Sequence, residues 1–274
     1  MQKSLLLGLI VLVLVGAGVG GIRSSVNSSR DAADLEAQMA AMGSALRTYA
    51  RETRGEIYPP VSSTPGVVFM DAASLFPNYL DDPAVVVSPK RPNARALRRE
   101  LAQAAADPAT IERIGAESFY YLGYVAEFEI VGLAFVGAYR DAVSAGELEQ
   151  VLDARGLPVA YPDDYTGPRE PPVIPDNQSW NSDGPGTAGS NQIQRIREGI
   201  ERFLIVSASG PRGSARAQCY IPLLIERPTR IGRPIRVLYL DQRIAEVPFG
   251  EYPNTRDFLE GLESLRGLRQ DARL

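Results

Sequence analysis

The chemistry open to this chain is set first by what its 274 residues lack: there is no histidine and only one cysteine, Cys219. Ser-His-Asp and Cys-His catalysis, imidazole acid–base work and HExxH zinc binding are therefore closed to the chain acting alone. A single thiol supports neither a tetrahedral zinc site of cysteines nor an intramolecular disulfide. It lies in Cys219-Tyr220-Ile221, where a small buried side chain is expected. What remains for catalysis is carboxylate chemistry, from Asp81, Asp82, Asp163, Asp164, Glu226 or Asp241. Acids of this kind usually occupy turns and solvated faces, and no motif here raises one pair above the rest. No G-x-x-x-x-G-K-[ST] loop is present, and Gly18, Gly20 and Gly21 fall inside an apolar run rather than after a strand. The reading is a non-enzyme without a cofactor or metal site. Charge narrows the partners: 29 basic residues face 33 acidic ones, net −4, so no excess exists to neutralise nucleic-acid phosphates. The positive charge is almost entirely arginine, the lysines being Lys3 and Lys90 alone.

The elements that would position any site begin with the apolar stretch Leu5–Ile22, eighteen residues without a charge. At about 1.5 Å per residue it spans about 27 Å as a helix, close to the roughly 30 Å hydrocarbon core of a bilayer. Leu5, Leu7, Ile10, Leu12, Leu14 and Val19 are its anchoring side chains. Lys3 and the small residues Ala17 to Gly21 also suit a signal peptide, but the run is longer than a usual h-region. Residues 1–22 are therefore expected to stay as a transmembrane anchor. Large downstream domains translocate largely regardless of flanking charge. The expected arrangement is a single-pass anchor with an exported head.

Residues 23–55 read as an amphipathic helix ending at Gly55. Leu35, Met39, Met42, Leu46 and Tyr49 fall at spacings of 4, 3, 4 and 3, an apolar seam. The intervening alanines raise helix propensity, and Ser28 or Ser29 can cap the start. Such a seam suits assembly with other helices or packing on the protein's own sheet. Three heptads are short for a free coiled coil, which favours the sheet.

Residues 56–274 form the expected head. Val67–Met70 is a possible strand, Asp71 caps a short helix, and Ala84–Val87 is a β-branched run. Helices are predicted over 93–106, 130–143 and 147–155, with a further turn starting at Asp107-Pro108. Ser118–Tyr124 is the most aromatic strand. Pro, Gly, Asp and Asn mark 157–191 as a long loop that contains Trp180, the lone tryptophan. Then follow a helix at 191–201, strands at 203–206 and 221–225, a hairpin of 235–240 with 244–247, and a helix over 255–268. Consecutive late strands favour an antiparallel sheet covered on one face by helices.

Several blocks carry a family resemblance: Glu56-Ile57-Tyr58-Pro59-Pro60, Leu75 to Pro83, Tyr120 to Tyr124, Arg197 to Ile205, Ile221 to Pro228 and Val237 to Asp241. With the anchor and seam, they resemble the large pilin-like proteins of planctomycetes and related bacteria, over most of residues 1–250. Those proteins are similar in layout to type II secretion pseudopilins. The resemblance implies an α+β pilin-like fold, a long N-terminal helix packed on a mainly antiparallel sheet with covering helices. It also implies homo- or hetero-assembly with pilin-like proteins, and a place in the bacterial inner membrane with the head facing the periplasm. Members often carry a C-terminal histidine before an Asp-Gly turn; this chain has Asp241, with Ile231 at the histidine's place and Gln242 at the glycine's. Residues 2–10 read QKSLLLGLI and lack the prepilin processing pattern.

The sequence therefore points to a membrane-anchored, pseudopilin-like structural or secretion-associated protein. Two alternatives stay open. One is a soluble exported binding module after signal-peptide cleavage, taking glycans through Trp180, Tyr161 and Tyr165. The other is a carboxylate-based hydrolase using Glu226 and Asp241.

Overall fold

Four short strands hydrogen-bond in the order β1-β4-β5-β6, every neighbouring pair antiparallel. They are β1 (Phe119–Tyr120), β4 (Pro222–Glu226), β5 (Ile235–Tyr239) and β6 (Ile244–Val247). The computed structural model describes residues 29–54, 56–159, 187, 190–200 and 218–268. The hairpin expected at 235–247 is present, with Leu238 opposite Ile244 and Ile235 opposite Val247. The architecture is α+β with a mainly antiparallel sheet. The anchor, the strand expected at 203–206 and the loop residues Tyr161, Asp163, Asp164, Tyr165 and Trp180 lie outside the described residues.

The helices were largely legible. Residues 29–52 form α1. Ala94–Gln103 (α2), Pro108–Gly115 (α3), Glu129–Ala145 (α4), Leu148–Asp153 (α5) and Arg256–Leu265 (α6) follow. Asp107 accepts from the Thr110 amide and Pro108 sits at the first position of α3, the cap-then-proline start. Asp71 likewise accepts from the Ser74 amide and starts a 3-10 turn at Ala72–Ser74.

The β-branched run Ala84–Val87 forms no strand: the Asp82 side chain accepts from the Ala84 amide, and Pro83–Val86 winds as a 3-10 helix. Three expectations are corrected. Val67–Met70 forms no strand among the described residues: Met70 makes an isolated bridge to Val61, and the Phe69 and Val68 carbonyls accept from the Ser62 and Tyr121 amides. The segment 191–200 is not helical. Gln192–Gln194 (β3) pairs with Gly156–Pro158 (β2), and the following residues bridge Tyr124 and Ile57. Ile193, Ile196 and Ile200 are spaced for a helix, but the segment's backbone finds partners on three neighbouring segments, and tertiary pairing overrides local propensity. The expected 157–191 loop is thus held at its ends by the β2–β3 ladder. Finally, helices cover both faces of the main sheet. Leu224, Leu238 and Ile244 share one face by register, and α1 lies there; Tyr120, Ile225 and Val237 share the other, where the Tyr120 hydroxyl meets Glu263 of α6. All five residues of β4 are accordingly buried.

One hydrophobic core runs from Leu35 in α1 to Leu265 in α6. Its distinctive members are tyrosines. The Tyr121 hydroxyl donates to the Pro59 carbonyl at 2.7 Å, Tyr252 to Ala126 at 2.9 Å and Tyr124 to Leu152 at 3.0 Å. The Tyr139 hydroxyl accepts from the Gly66 amide at 3.1 Å. Burial raises the Tyr124 phenol to about 12 and also lifts Tyr121 and Tyr252 well above the usual phenol range, so these three stay neutral donors.

Glu112 of α3 is a buried carboxylate built into this core. It accepts from the Ser62 hydroxyl at 2.5 Å and the Ala72 amide at 3.0 Å, tying α3 to the 3-10 turn and to the segment around Ser62. Burial pushes its carboxyl above the usual range, against those two hydrogen bonds. A raised folded-state pKa means stability is fully present below the unfolded value of about 4.3 and is lost as pH rises through the folded value. Glu112→Gln should therefore gain on the wild type in urea unfolding as pH is taken from 4 to 7; a pH-independent difference would count against this reading. Glu112→Ala, which strands the Ser62 hydroxyl and the Ala72 amide, should cost about 2–3 kcal/mol. Tyr121→Phe should cost about 1 kcal/mol by leaving the Pro59 carbonyl unpaired.

Candidate assembly surface

The residues singled out for assembly lie on α1, and the structure assigns its two faces differently. Leu35, Met39, Met42 and Leu46 are fully buried, and Tyr49 is half-buried with its ring edge-on to Tyr79 at 5.5 Å. The seam is thus occupied by the protein's own core. Glu36 pairs with Arg236 at 2.7 Å, Gly43 lies against Leu238, and Arg47 donates to the Leu240 carbonyl at 3.4 Å. These contacts advance together, so α1 runs along β5 in the same chain direction. Arg236 also holds Glu246 of β6 at 3.0 Å, linking helix and two strands through one guanidinium.

Gly43 is the point of closest approach. A Cβ built there would sit 2.7 Å from Leu238 Cδ2 and 2.7 Å from Gln242 Oε1. Gln242, standing at the glycine position of the resembled turn, adopts a left-handed φ of 70°. That conformation is costly for a side-chain-bearing residue. Its amide lies beside Gly43, so the turn and the helix fit each other there.

Roughly half a turn around the helix, Ala33, Ala37, Ala41, Ser44 and Thr48 are exposed at spacings of 4, 4, 3 and 4. The sequence alone marks Ala33 and Ala41 as helix formers and nothing more. The periodicity of all five side chains, half a turn out of phase with the seam, is the signal that could have marked a second face. Small side chains at this rhythm let another helix approach closely. Beside them runs a groove of about 600 Å³, floored by Ala41, Ser44 and Thr48 and walled by Tyr79, Leu80 and Val85. Asp81 and Asp82 stand exposed in its wall. The Tyr79 hydroxyl donates to Glu52 at 2.8 Å and fixes the wall to the end of α1.

The carboxylates proposed for hydrolysis are not brought together. Glu226 is buried, accepts from the Arg236 amide at 2.8 Å and pairs with Lys90 at 3.0 Å. Asp241 lies beyond the far end of β5, in the turn that leads to β6, whereas Glu226 faces the start of β5. It accepts from the Arg243 amide at 3.0 Å and the Cys219 thiol at 3.1 Å. Cys219 itself is partly exposed rather than buried, because it sits in the turn just before β4. Burial raises its thiol pKa, helped by Asp241. Among the described residues no group of three or more Cys, Asp or Glu side chains is placed to hold a metal ion. Nor is any described helix long and apolar enough to cross a membrane, residues 5–22 lying outside that set. Comparison with protein-family models, curated proteins and solved structures finds no significant match.

The two faces of α1 should respond differently to the same substitution. Gly43→Val forces the helix off Leu238 and should cost about 2 kcal/mol or more in chemical denaturation. Ala37→Val on the outer face should change stability by no more than about 0.5 kcal/mol. Equal costs at both positions would refute the assignment of faces.

Proposed function

We propose that this is a non-enzymatic, membrane-anchored, pseudopilin-like protein whose head is exported to the periplasm and assembles side by side with other copies through the outer face of α1. The observation that carries the reading is the division of labour on that helix. The inner seam is consumed by the head's own sheet, while an exposed stripe of Ala33, Ala37, Ala41, Ser44 and Thr48 borders a groove. Only six residues separate Leu5–Ile22 from the first described turn of α1. Copies held in one bilayer by that segment would present their α1 helices in parallel and at high effective concentration. The occupant of the stripe is then α1 of a second copy, with Thr48 and Ser44 available for interhelical hydrogen bonds. The separation of Glu226 from Asp241 leaves the hydrolase alternative without paired carboxylates.

Cysteine crosslinking in membranes tests this. In a Cys219→Ser background, Ala37→Cys and Ser44→Cys should each yield oxidised dimers in native membranes, whereas Arg99→Cys on exposed α2 should not. Dimers from the α2 position alone, or none from either α1 position, would defeat the assembly reading. Fractionation should also recover intact chain with the membranes; a soluble head beginning after Ile22 would defeat the anchor.

A further inference from the structure

The two ends of the head differ in what they present. Glu36 on Arg236, Gly43 on Leu238 and Arg47 on the Leu240 carbonyl run in one direction, so the start of α1 lies at the start of β5. The antiparallel register brings two turns to that same end. The β4–β5 turn, residues 228–234, leads into Ile235; the β6–α6 turn, residues 248–255, follows Val247, the partner of Ile235. Asn254 is fully buried and donates to the Arg233 and Val247 carbonyls, each at 2.9 Å. The two turns are thereby held together as one surface.

Among the described residues two large apolar side chains are exposed, Tyr220 at 44% and Phe249 at 38%. Tyr220 precedes β4, whose first residue pairs with Tyr239 at the end of β5, so it lies at the opposite end. Phe249 stands in the 248–255 turn, with the Arg256 guanidinium 5.9 Å from its ring centre. In the neighbouring turn Arg230 and Arg233 are exposed, and neither has an ion-pair partner among the described residues. Glu251 is the one acid in the two turns, so they keep a positive excess. Gly232 and Gly250 take left-handed φ values of 98° and 100°, and a Cβ built at either meets nothing within 4 Å. Both turns therefore stand clear of the rest of the described chain. The distance from this end to the apolar stretch is bounded as well. Residues 23–28 join Ile22 to Ser29, and fully extended they reach about 25 Å.

We infer that the 228–234 and 248–255 turns form a docking surface for the phospholipid bilayer, with Arg230 and Arg233 on lipid phosphates and Phe249 at the headgroup–acyl boundary. The inference rests on the anchor reading and adds an orientation to it: the head sits on these turns instead of standing off on a tether. Arginine forks match phosphate oxygens, and an aromatic ring among cations suits a membrane interface. Two turns offer little area by themselves. The anchor supplies the remaining term, because it holds the surface at high effective concentration beside the lipid.

The test uses the full chain, in a Cys219→Ser background, reconstituted into mixed phosphatidylcholine–phosphatidylglycerol vesicles. A fluorophore is placed at Phe249→Cys or at Tyr220→Cys, and part of the lipid carries a nitroxide on its headgroup. Quenching should be at least about threefold stronger at 249 than at 220. Arg230→Glu with Arg233→Glu should remove at least about half of that excess. Equal quenching at the two positions, or an excess untouched by the double substitution, overturns the inference. Should Phe249→Cys unfold the head, the label moves to exposed Thr229 in the neighbouring turn; the same excess over 220 is expected there, and its absence overturns the inference. Flotation of the labelled chain with the vesicles reports the anchor separately. A chain that floats but is quenched equally at both positions defeats the docking surface and leaves the anchor standing, whereas a chain that does not float defeats both.

Discussion

A phenolic hydroxyl taken out of water must be given a partner, and this protein is organised around that requirement. Tyr58, Tyr120, Tyr121, Tyr124, Tyr139 and Tyr252 are largely or fully buried, and each hydroxyl meets a defined partner. Several of those partners are backbone groups in irregular segments, at Pro59, Ala126 and Gly66. The strands are short, β1 having two residues, so ladders alone supply few constraints. The aromatic rings fill the core, and their hydroxyls fix where the loops run. A ring shifted by an ångström loses its hydrogen bond as well as its packing, which makes the arrangement specific.

The ionic groups follow a similar rule. Arginine's preponderance over lysine has a structural use here, since Arg227 and Arg236 each hold two carboxylates from different elements. A compact ammonium would not span these directions. Burial opposes ionisation of Glu263, but hydrogen bonds from Arg227 and Tyr120 and the nearby arginine charges outweigh it and keep its carboxyl below the usual range. Burial acts against Arg227 too, and is overcome by Glu263, Tyr120 and Glu117. Glu112 is the opposite case: burial, joined by the nearby Asp71 carboxyl, outweighs the hydrogen bonds from Ser62 and Ala72, and its carboxyl is held up. Charge in this protein is therefore used to join elements.

Helix α1 connects these features to the proposed role. Arg236 and Gly43 seat it on β5 with little freedom to slide, because one contact is a directed ion pair and the other a close steric fit. A head so fixed to its helix would transmit any constraint applied along α1. The outer stripe is left without large side chains, the composition that favours helix-on-helix approach.

How much of this was readable beforehand divides along physical lines. The sequence by itself determined what depends on local signals: the aspartate-capped starts at Asp71 and Asp107, the 235–247 hairpin, the amphipathic helices, the buried seam of α1, and the absence of histidine chemistry. Periodicity and capping act within a few residues, so they survive without knowledge of neighbours. Only the tertiary structure decided that 192–197 is extended, since its backbone partners come from segments over thirty to one hundred forty residues away in the chain, at Gly156, Tyr124 and Ile57. It alone separated Glu226 from Asp241, covered the sheet on both faces, and gathered Arg91, Arg227 and Arg266 around two glutamates. Such groupings depend on long-range register and packing, which no short window of residues encodes.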